Sequence, residues 1–399
     1  MFHSIILANS GSPNRVAAFS VFCFGDLLAY ICRMIRIMPY NKVILTCDLR
    51  EVTIYTNREY VNVLYFSAPD VLLSGRFYAD GGKVVIYDIR SVAEQYIASL
   101  GYSVATLTME VTYGDAEEGD EDYGCVTYTA LYCNRDIEVF DLPQLLASSF
   151  LSPAASRRVA PDSFVMLSLF AMEREDMTYY ISCNYEVDGE LMHTTYLGGM
   201  ENFLAPADDV FTITVFCNSV IEHLASTTEG NVELLSFTVR CGDRAQTFYV
   251  DKSLRGSTRF YFRNCFNAPD CFFGKWLITA KTKVERSIAV IAGSSQFYDA
   301  TSTQSFEVQS GGLTPDECAI AEQMFCSDDV RIPNEDSPDD SDFEALRHIL
   351  VTESTCEIAD NGEKPNSVKF TWRYAANRVK LRMPKSNNVF TDEYDFAFR

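Results

Sequence analysis

Alternating apolar and polar residues dominate the chain and predict β-strands. In runs such as KVILTCD and SVKFTWRY, apolar or aromatic residues recur at about every second position, as in a strand with one buried face. Turn dipeptides such as Asp188-Gly189 and Gly242-Asp243 separate several of these runs and supply the positive φ that tight hairpins need. Short connections favour antiparallel sheets over βαβ units. The predicted strands occupy 42–48, 61–67, 83–89, 126–133, 178–187, 210–217, 236–241, 246–251 and 367–374.

Three segments carry helix signals instead. Thr314 and Glu317 form a capping box, with Pro315 at the first helical position, and apolar residues follow at helical spacing. Asp141 and Pro143 mark a second helix start in the same way. A third helix ends at Gly101. The predicted helices are 91–101, 141–149 and 314–326.

These elements predict a mainly β fold of tandem antiparallel β-sandwich-like domains with a few short helices. The segment LSPAASRRVAPD, with two prolines and many small or polar residues, predicts a linker, and a weaker boundary lies near DKSLRGST at 251–258. The predicted organisation is an N-terminal β-domain at 1–150, a linker at 151–162, a second β-domain at 163–255 and a C-terminal β-domain at 256–399. The last of these contains the helix 314–326 and an acidic loop at 327–344.

The charge is strongly acidic and unevenly distributed. The 399 residues carry a net charge of −22, which argues against nucleic acid or an anionic membrane as the main partner. The segments 114–124 and 327–344 supply 13 of these negative charges, and both are predicted to be solvated surface loops. Clustered carboxylates at 114–124 also suit loose calcium binding, although the spacing does not match an EF-hand loop.

The cysteines predict buried, reduced thiols. Thirteen are scattered through apolar stretches without a C-x-x-C pair, and no basic segment precedes an apolar run at the N-terminus, so we expect folding in a cytoplasm. The apolar run at 16–32 contains Gly25 and Asp26 and is predicted to be core. Cys265 and Cys271 flank an Asn-Ala-Pro-Asp turn, and without a second ligand pair they predict a hairpin and not a zinc site.

The sequence contains no nucleophile elbow and no phosphate-binding glycine loop. We therefore expect a protein that is not an enzyme, with no catalytic residues, no cofactor and no metal. A pair of carboxylates for glycoside hydrolysis stays open as an alternative, because the separation of such a pair depends on the fold.

A basic segment near the C-terminus is the best candidate for a subunit contact. Residues 366–385 hold six bases and no acid. One interpretation is the basic face of a terminal hairpin. The other is a surface that meets an acidic face of a neighbouring subunit and sets the register between copies. The candidate interface residues are Lys369, Trp372, Arg373, Arg378, Lys380 and Arg382.

The order of several segments resembles a known group of proteins. The strand and helix at 83–97, the stretch SFLSPAASRRVAPDSFVMLSLFA (149–171) and the aromatic hairpin at 259–273 follow one another as in that group. The helix and strand at 311–332 and the closing strands at 348–375 continue the likeness. Over about three quarters of its length, the chain is similar to the β-rich tail and baseplate-type proteins of phages and prophages of Bacteroides-like bacteria.

This resemblance implies a structural virion protein, folded in the bacterial host cytoplasm before it joins the particle. Its partners would be copies of itself, for example in a ring, and other tail proteins, with neither nucleic acid nor membrane as main partner. The alternative function is a receptor- or glycan-binding module, in which exposed aromatic rings stack on sugars. The aromatic residues considered for it are Tyr78, Tyr113, Tyr123, Tyr128 and Trp372.

Overall fold

The computed structural model confirms a mainly β fold built from antiparallel sheets with a few short helices. It describes residues 2–7, 18–23, 42–49, 51–115, 119–137, 141–152, 154–199, 204–291, 294–334, 342–358 and 365–376. Side chains at 2–7, 18–23, 113, 115, 119–123, 291 and 298 are outside this description, as is most of the apolar run 16–32.

The first part of the chain forms a five-stranded sheet of order β3-β9-β8-β5-β6, covered on one face by the β4–β7 pair and helix α1. Strand β3 runs parallel to β9, and the other neighbours are antiparallel. Val61, Val63 and Tyr65 of β5 alternate into the core because every second residue of a strand faces the same side. The elements are β1 (Phe2–Leu7), β2 (Ala18–Cys23), β3 (Val43–Leu45), β4 (Glu51–Tyr55), β5 (Tyr60–Ser67), β6 (Asp70–Tyr78), β7 (Lys83–Tyr87), α1 (Ile89–Ser99), β8 (Val104–Asp115) and β9 (Gly119–Leu131).

The middle part forms a second five-stranded sheet, of order β10-β18-β17-β13-β14, in which β10 is parallel to β18. Strand β11 is buried along its whole length, pairs with β16 and fills the space beside this sheet together with helix α3. The elements are α2 (Leu142–Ser148), β10 (Ser156–Val159), β11 (Phe164–Ala171), β12 (Glu175–Asp176), β13 (Tyr179–Val187), β14 (Glu190–Gly199), β15 (Leu204–Ala205), β16 (Asp209–Phe216), α3 (Cys217–Thr227), β17 (Val232–Cys241) and β18 (Arg244–Val250).

The last part forms a seven-stranded sheet of order β20-β19-β23-β24-β25-β22-β21, packed against helix α4. The predicted hairpin around Cys265 and Cys271 is confirmed, since β19 pairs with β20. The elements are β19 (Phe260–Arg263), β20 (Pro269–Phe272), β21 (Trp276–Ile291), β22 (Ser294–Ser310), α4 (Pro315–Phe325), β23 (Val330–Ile332), β24 (Arg347–Glu357) and β25 (Ser367–Tyr374).

One buried cluster contains side chains from all three parts of the chain. Leu45 and Cys133 belong to the first part, Phe170 to the second, and Cys265 and Phe266 to the third, and all five are buried. The three parts of the chain therefore share a buried apolar cluster.

The segment predicted as a linker, residues 151–162, contains a strand. Residues 156–159 form β10, and Arg157, Val159 and Ala160 are buried. The weaker boundary at 251–258 also contains a short 3-10 helix, Lys252–Leu254, with Leu254 buried. Pairing of β10 with β18 incorporates the first segment into the second sheet, so it is not an exposed connection. The division of the chain into domains stays a prediction.

Candidate interaction surface

The predicted interface strand β25 lies inside the seven-stranded sheet and not at its edge. It pairs with β24 on one side and with β22 on the other. Lys369 and Arg373 are on the same face of this strand, with Lys369 exposed and Arg373 half-buried. The structure thus places these two bases on the same face of β25, roughly 13 Å apart along the strand.

Trp372 points the other way, into the core. It is 3% exposed and its ring is stacked on that of Phe306, with 4.1 Å between the ring centroids. A ring buried in this way presents no face to a subunit or a sugar. The proposal of Trp372 as an interface residue or sugar platform is therefore wrong, because its apolar surface is already covered by its own sheet.

The other candidate residues separate into three groups. Arg378, Lys380 and Arg382 lie outside the described residues, as do the side chains of Tyr113 and Tyr123. Tyr128 is buried and shares a hydrogen bond with Tyr65, with 2.8 Å between the two hydroxyl oxygens. Burial raises the pKa of Tyr128 to about 12. Of the five tyrosine and tryptophan side chains considered for stacking, Tyr78 is exposed, at 72%.

The acidic segment 327–344 is more ordered than predicted at both of its ends. Asp329 and Glu344 form ion pairs with Arg331, at 2.7 and 2.6 Å, and Glu344 also pairs with Arg263 at 2.7 Å. The segment contains β23, which is part of the seven-stranded sheet. These ends are therefore built into the fold, while residues 335–341 lie outside the description.

An exposed feature of the last sheet is the two-stranded ribbon formed by β21 and β22, which we call the arm (residues 276–310). Strand β22 pairs with β25 from Phe306 to Gln309, and beyond this point the described residues give β21 and β22 no strand partner except each other. The eleven residues 281–291 span roughly 35 Å at the usual rise of a strand. Almost every described side chain between 281 and 303 is exposed on both faces of the ribbon.

The two faces of the arm differ in chemistry. The pairing register places Val284, Arg286, Ile288 and Val290 on the same face, and Phe297 is directly opposite Ile288. The side chains of Ile288, Val290 and Phe297 are 61–73% exposed. The other face carries Lys281, Lys283, Glu285, Ser287, Asp299, Thr301 and Thr303. An alternating strand normally turns such an apolar face towards a core, but no described residue of this chain covers this one.

The base of the arm is fixed in the aromatic core of the sheet. Trp276 packs edge-on against Phe260, Phe272 and Phe370, and its indole Nε1 donates a hydrogen bond of 2.8 Å to the carbonyl oxygen of Thr258. Phe306 of β22 is stacked on Trp372. The arm therefore projects from a well-packed root.

Charges on the arm balance one another. Three bases and three acids lie between 276 and 310, and none lies between 287 and 298. Lys281 pairs with Glu307, and its hydrogen bond holds the pKa of Glu307 below the usual value. Lys283 pairs with Glu285 at 2.6 Å, and Arg286 lies over the Phe297 ring at 5.1 Å. The tip is thus an uncharged, partly apolar surface on an otherwise acidic protein.

The arm was missed among the strands predicted from sequence. A signal is present, since Val284, Ile288 and Val290 occupy alternate positions and an Ala-Gly pair at 292–293 separates the two halves. Ser, Thr and Lys residues on the opposite face obscure this alternation, because their composition is typical of a solvated loop.

The described residues hold no group of three or more His, Cys, Asp or Glu side chains arranged to bind a metal ion. In the same ranges, no helix has both the length and the apolar character needed to cross a bilayer. Comparison with known proteins adds no assignment: no protein-family model matches this sequence, and a search of curated proteins finds no significant similarity.

Proposed function

We propose that this chain is a structural component of a virion, of the phage tail or baseplate type, and that it works by self-assembly and contacts to other tail proteins. The observation that supports this proposal is the arm. It extends over roughly 35 Å and exposes an apolar face that the other described residues leave uncovered.

The physical argument begins with the stability of the ribbon. A two-stranded ribbon without a packed face is marginal in water, and its open edges offer unpaired N–H and C=O groups. Contact with a neighbouring subunit buries the face of Ile288, Val290 and Phe297 and can extend the ribbon by a further strand.

The distribution of charge also favours contact between the arm and another copy of this chain. The chain carries −22, so copies repel one another over most of their surface. The arm has no net charge and its tip at 287–298 has no charged residue, so the tip can approach an acidic neighbour with little repulsion. Lys369, which lies on the outer face of β25 near Glu307, adds a base beside the root of the arm.

Deletion of the arm tests this function. Lys281 and Ser305 are directly opposite each other, so an Asn-Gly turn can replace residues 282–304 and close the shortened hairpin. We expect the full chain to form oligomers in analytical ultracentrifugation and to co-purify with virus particles at fixed stoichiometry. The shortened chain should keep its near-UV circular dichroism but sediment as a monomer and be absent from particles.

Point variants test whether the apolar face of the arm, and not only its presence, is needed for self-association. Replacing Ile288, Val290 and Phe297 together by Ser should weaken self-association by about tenfold or more, since buried apolar side chains dominate interface energetics. The matched control is Thr301→Ala with Thr303→Ala on the polar face, which should change little. An unchanged oligomeric state after deletion of the arm, or a full chain that neither oligomerises nor enters particles, contradicts the proposal.

A further inference from the structure

The outer face of the first five-stranded sheet carries an ordered row of polar side chains. The cross-strand register aligns Arg76 of β6 with Asn62 of β5 and Thr112 of β8. Arg76 Nε donates to Asn62 Oδ1 at 2.8 Å, and Asn62 Nδ2 donates to Thr112 Oγ1 at 3.3 Å. The row therefore runs across three strands, on the side opposite to the core.

An aromatic pair lies beside this row. The guanidinium of Arg76 lies 4.0 Å from the centroid of the Tyr60 ring, and Tyr78 contacts the same ring edge-on at 6.3 Å. Tyr60 is buried beneath its neighbours, whereas the Tyr78 ring is 72% exposed. Tyr78 and Arg76 are two residues apart on one face, so they are separated by roughly 7 Å, which accommodates one sugar ring.

The guanidinium of Arg76 is held in place through its Nε, whereas its Nη nitrogens can still donate hydrogen bonds. Its Nε bond and its position over the Tyr60 ring fix the plane of the guanidinium. Within the described ranges, the structure gives neither of its two Nη nitrogens a hydrogen-bond partner. A guanidinium held in this way, with both Nη nitrogens available, matches the two oxygens of a carboxylate.

The row borders a shallow cleft of about 460 Å³, within the size range of small-molecule sites. Its lining includes Asn62, Leu64, Ser74, Arg76, Glu110 and Thr112. The amide, hydroxyl and carboxylate groups in this set donate to and accept from hydroxyl groups. Glu110 also disfavours ligands with more than one negative charge, such as a phosphate.

We propose that this face binds a saccharide that carries a carboxylate group, such as a uronic acid. Tyr78 stacks on one sugar ring, the Nη groups of Arg76 bind its carboxylate, and Asn62, Thr112 and Glu110 in the adjoining cleft bind hydroxyl groups of the next ring. The site lies on β5, β6 and β8, separate from the arm, and it adds a ligand to the assembly role proposed above.

The test compares two disaccharides that differ in one group, one ending in glucuronic acid and the other in glucose. With the full-length protein, isothermal titration and saturation-transfer NMR should show about tenfold tighter binding of the glucuronic acid form. Arg76→Gln should remove this preference. Tyr78→Ala should weaken binding of both sugars by a similar factor.

The matched control is Tyr87→Ala, which removes an equally exposed tyrosine from β7 and should leave both affinities unchanged. Equal binding of the two sugars, no binding of either, or an unchanged preference in Arg76→Gln overturns the proposal. Equally tight binding of a tetra-glutamate peptide also overturns it, since the site would then recognise an acidic peptide. The chain without its arm should bind as the full chain does, so this test succeeds or fails independently of the assembly function.

Discussion

At the scale of single residues, the fold depends on a small number of charged side chains inside the core. Arg157 and Asp270 form an ion pair in which both side chains are almost completely buried. Arg157 also donates to the carbonyl oxygen of Cys271 at 2.9 Å, and Ser152 donates to Asp270 at 3.1 Å. Burial alone would lower the pKa of Arg157, but Asp270 and Cys271 raise it above its ordinary value. The pair connects β10 to β20, two strands from different sheets.

Asp270→Asn should destabilise the protein by about 3–5 kcal/mol, because it leaves the charge of Arg157 buried without a counter-charge. Urea unfolding followed by circular dichroism measures this change. The control is Glu233→Gln, which breaks an exposed pair with Lys252 and should change stability by less than about 1 kcal/mol. Similar losses in the two variants would contradict the structural role given to the buried pair.

At the scale of elements, helix α4 shows how one side chain can serve two contacts. The Thr314 hydroxyl accepts from the backbone N–H of Glu317 at 3.2 Å, and the Glu317 carboxylate accepts from the backbone N–H of Thr314 at 2.9 Å. The same carboxylate accepts from Arg158 of β10, at 2.6 and 2.7 Å. The capping box therefore also attaches the helix to the second sheet.

Thr314→Ala should lower the free energy of unfolding by about 1 kcal/mol, the usual effect of losing an N-cap hydroxyl. Glu317→Ala should have a larger effect, because it removes the second cap and leaves Arg158 without its main partner. Thermal and urea unfolding provide the comparison. Thr314→Ser keeps the hydroxyl, so its free energy of unfolding should remain close to that of the unmodified protein. If Thr314→Ser is destabilised as much as Thr314→Ala, loss of the N-cap hydrogen bond does not explain the effect.

How much of the fold could be predicted depended on whether its signals were local. The capping box of α4 and the alternation of β25 are visible within a dozen residues, and both elements were predicted within one residue of their ends. Helix α3 was missed although Cys217, Val220 and Leu224 recur at helical spacing, because no side chain caps its start. Strand β10, within the segment predicted as a linker, was missed because its pairing partner lies about 90 residues further along the chain.

The candidate surfaces show the same limit. Lys369 and Arg373 alternate with Trp372, so their common face was predictable, but the burial of Trp372 depends on Phe306, more than 60 residues away. The polar row of Arg76, Asn62 and Thr112 exists only because three strands align in one register. No sequence pattern marks such a row.

At the scale of the whole molecule, the buried thiols and phenols should make the folded state less stable at alkaline pH. Burial raises the pKa of Cys183, Cys217 and Cys271 from about 9 to about 12, and Tyr128 is shifted upward as well. The neutral forms are thus favoured in the folded state, so unfolding above the ordinary thiol pKa releases protons.

The free energy of unfolding should therefore be insensitive to these thiols below about pH 9 and fall as the pH rises from about 9 towards 12. Urea midpoints at pH 7.5, 9.0 and 10.5 in reducing buffer measure the slope. Replacing Cys217 and Cys271 by Ala should make the slope shallower, whereas replacing the exposed Cys125 by Ala should not. A midpoint that stays constant or rises over this range would count against the explanation.

The buried cluster shared by the three parts of the chain has a consequence for the order in which its contacts form during synthesis. Leu45 and Cys133 pack against Cys265 and Phe266, which leave the ribosome more than 130 residues later than the first pair. At about 5–20 residues per second, the interval between the synthesis of Leu45 and Phe266 is roughly 10–45 s. We therefore expect the apolar side chains of the first part to wait for the β19–β20 hairpin before this cluster can close.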